Sequence, residues 1–312
     1  MQNLSDEEIR GYYPTEEEVD VWLEEIWMEA CAMPCEVEIM HGPDNHHQYG
    51  IRHVQGQNYV RFQPDGEKPF YGYWQPAHSP GAPLLVHLPG YGAEMSIHPD
   101  LVAAGFNVLH VNPLGYATPK GADESLKRGA EAWPVLPDTI HSGAMDGYFR
   151  WLRHAAQAVN WALEQPACLD DRVSFFGTSQ GGGGSLLMAS LYRDHGVRCV
   201  AADQPFLTNF PKARKCDSAY NIAWNAIRQL TIDAQEGWKA VGYIDTLQHA
   251  RRLTCPVLLT SGAQDTVCPP DTIEALFEHL PATRSYTQIA QTPHGYNPHF
   301  IQLAKAWFRL YA

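Results

Sequence analysis

Residues 173–185 read VSFFGTSQGGGGS, and this stretch decides the architecture. Val173–Phe176 is a short apolar run of buried-strand type, and a helical run follows from about Gln180. Between them lies Gly177-Thr178-Ser179-Gln180-Gly181, a G-x-S-x-G pattern in the strand-to-helix context that gives it meaning. Such a chain must reverse sharply and hold its serine in a strained conformation, and side chains at the flanking positions would clash with the neighbouring strand and helix. Ser179 Oγ is then expected above the sheet, at the positive end of a helix dipole, with the Gln180 amide ready to donate to an oxyanion. A glycine-rich turn with an idle serine is the plainer alternative. A phosphate cradle on Gly181–Gly184 is a third, but Ser185 stands where a phosphate loop needs Lys, and GTSQGG lacks the dinucleotide spacing.

Working outward, short apolar runs recur at 84–88, 106–111, 172–176, 198–202, 256–260 and 285–289. Helical stretches separate most of them, at 144–164, 180–193, 271–280 and 298–310. This alternation predicts an α/β fold with a mainly parallel central sheet and helices on both faces. Right-handed crossovers bring the strand C-termini, and any ligand site, to one edge. Two intervals, 112–143 and 204–250, are longer than connections require, and their Trp, Tyr and Pro content suggests insertions shaping an entrance there. Phe206, Phe210, Tyr220, Trp224, Trp238 and Tyr243 could stack on a sugar or fill core; whether 204–250 is a lid stays open. Residues 1–80 read as an N-terminal extension packed on a core at 81–312. Thr15 and Glu18 form a capping box for a helix over 15–30, with Val19, Trp22, Leu23, Ile26 and Trp27 on one face. Alternating runs at 57–62 and 70–74 look like antiparallel strands.

An elbow serine needs an acid and then a histidine later in the chain. The strand at 256–260 runs into SGAQDTVCPP, carrying Asp265, and the next runs into AQTPHGYNP, carrying His294. Both should emerge at the edge that holds Ser179. Asp203, ending the strand RCVAA, is the rival acid; His299 and His279 are rival bases. His41, His46, His47 and His53 read as surface or loop residues. The second oxyanion donor should come from Pro89-Gly90-Tyr91-Gly92, after the first core strand, with the Tyr91 amide preferred and Gly92 as runner-up.

The chain has 22 Lys and Arg against 35 Asp and Glu, a formal charge of −13, which argues against nucleic acid or an anionic membrane as partner. No apolar run approaches the roughly 18 residues of a membrane span, and the acidic N-terminus is unlike a signal peptide. The seven scattered cysteines suit buried free thiols in a reducing cytoplasm, and no metal site or cofactor is expected from their spacing.

GYG at 90–92, GTSQGGG at 177–183, AADQPFL at 201–207, TSGAQDTVCPP at 260–270 and HG at 294–295 together resemble the acetyl xylan esterase / cephalosporin C deacetylase family of α/β-hydrolases. The resemblance implies a triad of Ser179, Asp265 and His294, an oxyanion hole of the Tyr91 and Gln180 amides, deacetylation of sugar acetates and other small esters, no metal, and a tendency toward hexamers. Pro89 stands where that family tends to have histidine, and NPLGYATPKG at 112–121 departs from its usual polar stretch. The expected function is hydrolysis of short-chain, acetyl, esters of carbohydrates. A peptidase or acylaminoacyl hydrolase of the same fold, and a binding module on a hydrolase scaffold, are the alternatives.

Overall fold

The apolar runs pair into one sheet because each satisfies its backbone through neighbouring strands, and the central runs, such as 84–88, 107–112 and 257–262, are buried on both faces. In the computed structural model, which describes residues 4–40, 58–128, 133–216, 218–230 and 234–312, with 170 and 171 as backbone only, the strands are β1 Cys35–Met40, β2 Asn58–Pro64, β3 Phe70–Gln75, β4 Ala82–Leu88 and β5 Asn107–Asn112. A small pair, β6 Ala117–Thr118 and β7 Gly121–Ala122, stands apart. Then follow β8 Cys168–Thr178, β9 Val197–Asp203, β10 Val257–Gly262 and β11 Arg284–Ile289. The large sheet runs β1-β2-β3-β5-β4-β8-β9-β10-β11. From β5 to β11 every pairing is parallel, whereas β1, β2 and β3 form an antiparallel flank that joins at β5.

The helices are α1 Asp6–Arg10, α2 Glu16–Ala32, α3 Pro99–Ala103, α4 Val135–His141, α5 Tyr148–Leu163, α6 Gln180–Leu191, α7 Phe210–Ala213, α8 Asn221–Gln229, α9 Ala234–Gly242, α10 Pro270–His279 and α11 Pro298–Tyr311. One face of the sheet is covered by the larger core, which takes buried residues from α2, α5, α6 and α10. On the other, Leu101 of α3 and Phe300, Ala304 and Phe308 of α11 pack on Leu85, Val108, Phe176, Ala201 and Leu258.

Thr15 caps α2 by the reciprocal box with Glu18, and Val19, Trp22, Leu23, Ile26 and Ala30 are buried along it. Charged contacts tie this extension down. Arg252 reaches Asp20 at 2.7 Å and Arg153 reaches Glu29 at 2.8 Å. Glu67, in the β2–β3 turn, accepts from His154 at 2.7 Å and bonds Arg153. α1 and β1 were not foreseen: α1 is barely more than one turn, and CEVEIM places acids on the open side of an edge strand. The interval 112–143 holds β6, β7 and α4, and 204–250 holds α7, α8 and α9.

Candidate active site

β8 delivers the chain into α6 through Ser179, whose φ of 60° and ψ of −121° lie where only a fully restrained residue stays. The restraint is visible. Ser179 N donates to the Asp203 carbonyl at 2.9 Å, and its own carbonyl accepts from Phe206 N at 2.9 Å and Gly183 N at 3.0 Å. A Cβ on Gly181 would lie 2.1 Å from the Leu88 carbonyl oxygen, and one on Gly183 would lie 2.0 Å from that of Phe206. The glycine run therefore lets α6 start in backbone contact with the end of β4 and with the segment after β9. That contact fixes the serine at the C-terminal edge of the sheet.

Asp265 follows β10 and His294 follows β11, and the structure brings both to Ser179. Asp265 Oδ1 accepts from the amides of Val267 and Cys268, each at 2.8 Å, and its Oδ2 lies 2.8 Å from His294 Nδ1. His294 Nε2 lies 3.0 Å from Ser179 Oγ. Amides only donate, so they hold the carboxylate as an ionised acceptor. His294 Nδ1–H then donates to Oδ2, which leaves Nε2 to accept from the serine hydroxyl. Asp203, the rival acid, points elsewhere: it accepts from Thr260 Oγ1 at 2.6 Å and Thr178 Oγ1 at 3.1 Å. Burial raises its pKa to about 6, outweighing the two hydroxyls that lower it. His279 is exposed and bonds the Ala275 carbonyl, and His299 is exposed on the first turn of α11. His41, His46, His47 and His53 lie outside the described residues.

The loop after β4 supplies the facing wall. No acceptor among the described residues takes the Tyr91 or Gln180 amide, whereas Gly90 N bonds the Glu94 carboxylate. Gly90 and Tyr91 line the cavity and Gly92 does not. The Gln180 side chain, 1% exposed, accepts from Tyr148 Oη at 2.9 Å and donates to the Gly90 carbonyl at 3.4 Å. It thus braces the 90–92 loop against α5 as well as carrying a candidate oxyanion amide.

Gln204, which holds the histidine loop in place, escaped the sequence reading. Gln204 Nε2 donates to the Pro293 carbonyl at 2.9 Å and its Oε1 accepts from Gly295 N at 2.8 Å, so one side chain grips the backbone on both sides of His294. Gln204 itself sits at φ 44°, with its amide on the Thr260 carbonyl at 2.9 Å. The sequence signal was its place directly after Asp203, but nothing in one chain tells which way a glutamine after a strand will turn.

The triad opens on a cavity of about 670 Å³, lined by Phe206, Ala219, Ile222 and Val267 from the segments after β9 and β10, by His87, Glu94, His98 and Asp100 from the β4–α3 segment, and by Tyr296. The interval 204–250 thus contributes walls. No described residue of 112–143 lines the cavity, contrary to expectation; that segment instead backs the 90–92 loop, with the Trp133 carbonyl accepting from Tyr91 Oη at 2.7 Å. Of the six aromatics considered for sugar stacking, Phe206 lines the cavity, while Phe210, Tyr220, Trp224 and Trp238 are buried and Tyr243 packs on Trp22. Tyr296, 78% exposed, was not foreseen. Among the described residues no group of three or more His, Cys, Asp or Glu side chains is arranged to hold a metal ion, and no helix is long and apolar enough to cross a membrane.

The chain is 27% identical over 222 residues to the acetyl esterase Axe7A of Xylanibacter ruminicola; the match covers 68% of this chain and 49% of that protein, so the chain spans about half the length of this curated relative. Acetyl xylan esterase 1 from a Thermoanaerobacterium species shares the fold at a TM-score of 0.76 and 22% identity, with 98% of each chain covered. An acetyl xylan esterase from a Paenibacillus species does so at 0.75 and 18%, covering 98% of this chain and 99% of that one. An acylaminoacyl peptidase from Pyrococcus horikoshii is more distant, with a TM-score of 0.61 and 14% identity over 81% of this chain and 40% of its own, a likeness of fold alone. The family description "Acetyl xylan esterase (AXE1)" matches residues 1–310. On the strength of that match over nearly its whole length, the chain belongs to the acetyl xylan esterase family of α/β-hydrolases.

Proposed function

We propose that the protein is a serine esterase that removes short acyl groups, acetyl above all, from carbohydrate alcohols. The observation that carries the proposal is the unbroken chain from Asp265 Oδ2 through His294 to Ser179 Oγ, at 2.8 and 3.0 Å, under an open cavity. The choice of acetyl and of carbohydrate rests on family membership and on the names of the relatives.

Ser179 Oγ bonds to the ester carbonyl carbon while its proton passes to His294 Nε2. Asp265 orients the imidazole and stabilises its charged form. The oxyanion is held by the Tyr91 and Gln180 amides. As the carbon–oxygen bond breaks, His294 returns the proton to the departing alcohol, leaving an acyl group on Ser179. Water, deprotonated by the same imidazole, then releases the acid and restores the serine.

Homo-oligomers, hexamers by family resemblance, and a cytoplasmic location belong to the same proposal; seven free cysteines, four of them buried, support a reducing compartment. Light scattering tests the assembly. An aryl phosphonate that labels wild type and not Ser179→Ala, with p-nitrophenyl acetate cleaved faster than the octanoate, is the expected result for the esterase. Labelling independent of Ser179 would sink it.

A further inference from the structure

In the turn that follows β9, three residues other than glycine stand in the left-handed region: Gln204 at φ 44°, Leu207 at 66° and Asn209 at 55°. Such a backbone persists only where its surroundings over-determine it. The turn carries much of the site. Gln204 grips the loop of His294, and Phe206 N donates to the Ser179 carbonyl at 2.9 Å. The Phe206 ring lines the cavity and meets Tyr91 edge-on.

Behind the turn lies Asp245, a carboxylate with no exposed surface. Its Oδ1 accepts from Asn209 N at 2.8 Å and Leu247 N at 3.0 Å, and its Oδ2 accepts from Phe210 N at 3.0 Å and Tyr13 Oη at 2.9 Å. Three of these donors are amides, which cannot accept, so the pocket asks for the ionised form. Burial works against that form and raises the pKa, with Arg10 the foremost influence opposing the rise. Arg10 also donates to Asn209 Oδ1 at 2.5 Å. Thr246 adds its amide to the Leu207 carbonyl at 2.8 Å and pairs its hydroxyl with that of Thr208 at 2.7 Å. The counter-charge and the hydroxyl on Asp245 thus both come from the opposite end of the chain.

That end is fixed in place. Arg214 Nη2 donates to the Leu4 carbonyl at 2.6 Å, Gln248 Nε2 donates to the Pro14 carbonyl at 3.1 Å, and Ile9 is fully buried. A Cβ on Gly242 of α9 would lie 2.4 Å from Pro14 Cδ. No residue of 4–14 lines the cavity, so any influence of this segment on the reaction must pass through the turn.

We propose that the N-terminal segment is part of the catalytic apparatus: Arg10 and Tyr13 hold Asp245, Asp245 holds the 204–209 turn, and all three are positioning residues for the Phe206 wall and the His294 loop. The assignment rests on the esterase reading and deepens it, because turnover and acyl-chain selectivity then depend on side chains outside the cavity.

The test compares wild type with the double variant Arg10→Met, Tyr13→Phe. Arg153→Met is the control, since it loosens the extension elsewhere by breaking its bonds to Glu29 and Glu67. kcat and KM are measured for p-nitrophenyl acetate and butyrate, well below each protein's melting transition. The double variant is expected to lower kcat on the acetate about tenfold, and to narrow the acetate-to-butyrate ratio about threefold as the loosened wall admits a longer chain. The control is expected to lose melting temperature and keep both values. A folded double variant with kcat and ratio intact would overturn the proposal, as would changes no larger than those of the control. Should the double variant not fold, Tyr13→Phe alone decides: a fall in kcat of about threefold is expected for one lost bond, and an unchanged kcat overturns the proposal. A wild type inactive on both aryl esters would remove the esterase reading and this one together, whereas an active wild type with insensitive variants removes only the role of the N-terminal segment.

Discussion

Two walls of one cavity carry histidines, and they treat the proton in opposite ways. On one side His294 is partly exposed, faces the Asp265 carboxylate, and sits in a loop gripped by Gln204, itself at φ 44°, beside the Ser179 elbow at φ 60°. On the β4–β5 side His87 and His110 belong to regular strands, have no carboxylate hydrogen-bonded to their rings, and are kept neutral by burial. Burial lowers His98 to about 4 against the pull of Glu94. The same side chain thus bridges a carboxylate and a hydroxyl on one wall and is a neutral buried ring on the other. What separates them is whether the fold provides a counter-charge for the imidazolium.

The comparison breaks first at the triad. Asp265→Asn should lower kcat by about 10⁴-fold, because the amide no longer selects the tautomer that bares Nε2, and His294→Ala should cost more still. Aryl ester turnover measures both. A similar loss from His87→Phe on the aryl ester would mean that the second wall also moves protons, and the distinction between the walls would fall.

The next effect concerns the buried carboxylate beside the triad. Asp203 has its pKa raised to about 6 by burial, so the folded state disfavours its ionised form. The sign follows. Its contribution is neutral below the ordinary carboxylate range, becomes unfavourable as pH rises from about 4, and is fully unfavourable above pH about 6, by on the order of 3 kcal/mol. Asp203→Asn still accepts from Thr260 and can donate to Thr178 Oγ1. Denaturant midpoints should show the variant gaining stability over wild type between pH 4 and 8 and matching it at the acid end. A gain that does not change with pH would mean Asp203 keeps an ordinary carboxylate's pKa.

Smaller again is the grip of Gln204. Gln204→Leu removes both bonds to the His294 loop and should lower kcat roughly thirtyfold with little change in KM, since the base is displaced while the cavity walls remain. Gln204→Glu separates positioning from packing. Ionised, it accepts from Gly295 N but cannot donate to the Pro293 carbonyl; protonated, it can do both. Its deficit relative to wild type should therefore shrink as pH falls, and a deficit constant with pH would argue for a purely structural role.

Legibility in the sequence followed the range of the constraint. The elbow at 177–181 and the capping box of Thr15 and Glu18 are local, and both stand where the residues said. Asp265 and His294 were readable because strand alternation predicts which loops share an edge. The insertions misled because aromatic content does not distinguish wall from core: Tyr220 and Phe210 pack edge-on, 5.0 Å apart, beneath the surface. The pairing of His87 with His110 was hidden for a different reason. Each is one polar residue near the end of an apolar strand, and only the order β5-β4-β8 makes them neighbours.

The smallest effect tests the second wall through stability. His98 Nε2 is shut away from solvent with no hydrogen-bond partner, while the ring packs 4.9 Å from that of Phe176. A buried nitrogen left unpaired costs about 1 kcal/mol or somewhat more, and a phenyl ring of similar shape carries no such cost. His98→Phe should therefore raise the melting temperature by a few degrees, on the order of 1 kcal/mol. If His98→Phe instead lowers the melting temperature, Nε2 has a partner in solution and the ring is there to hold the fold.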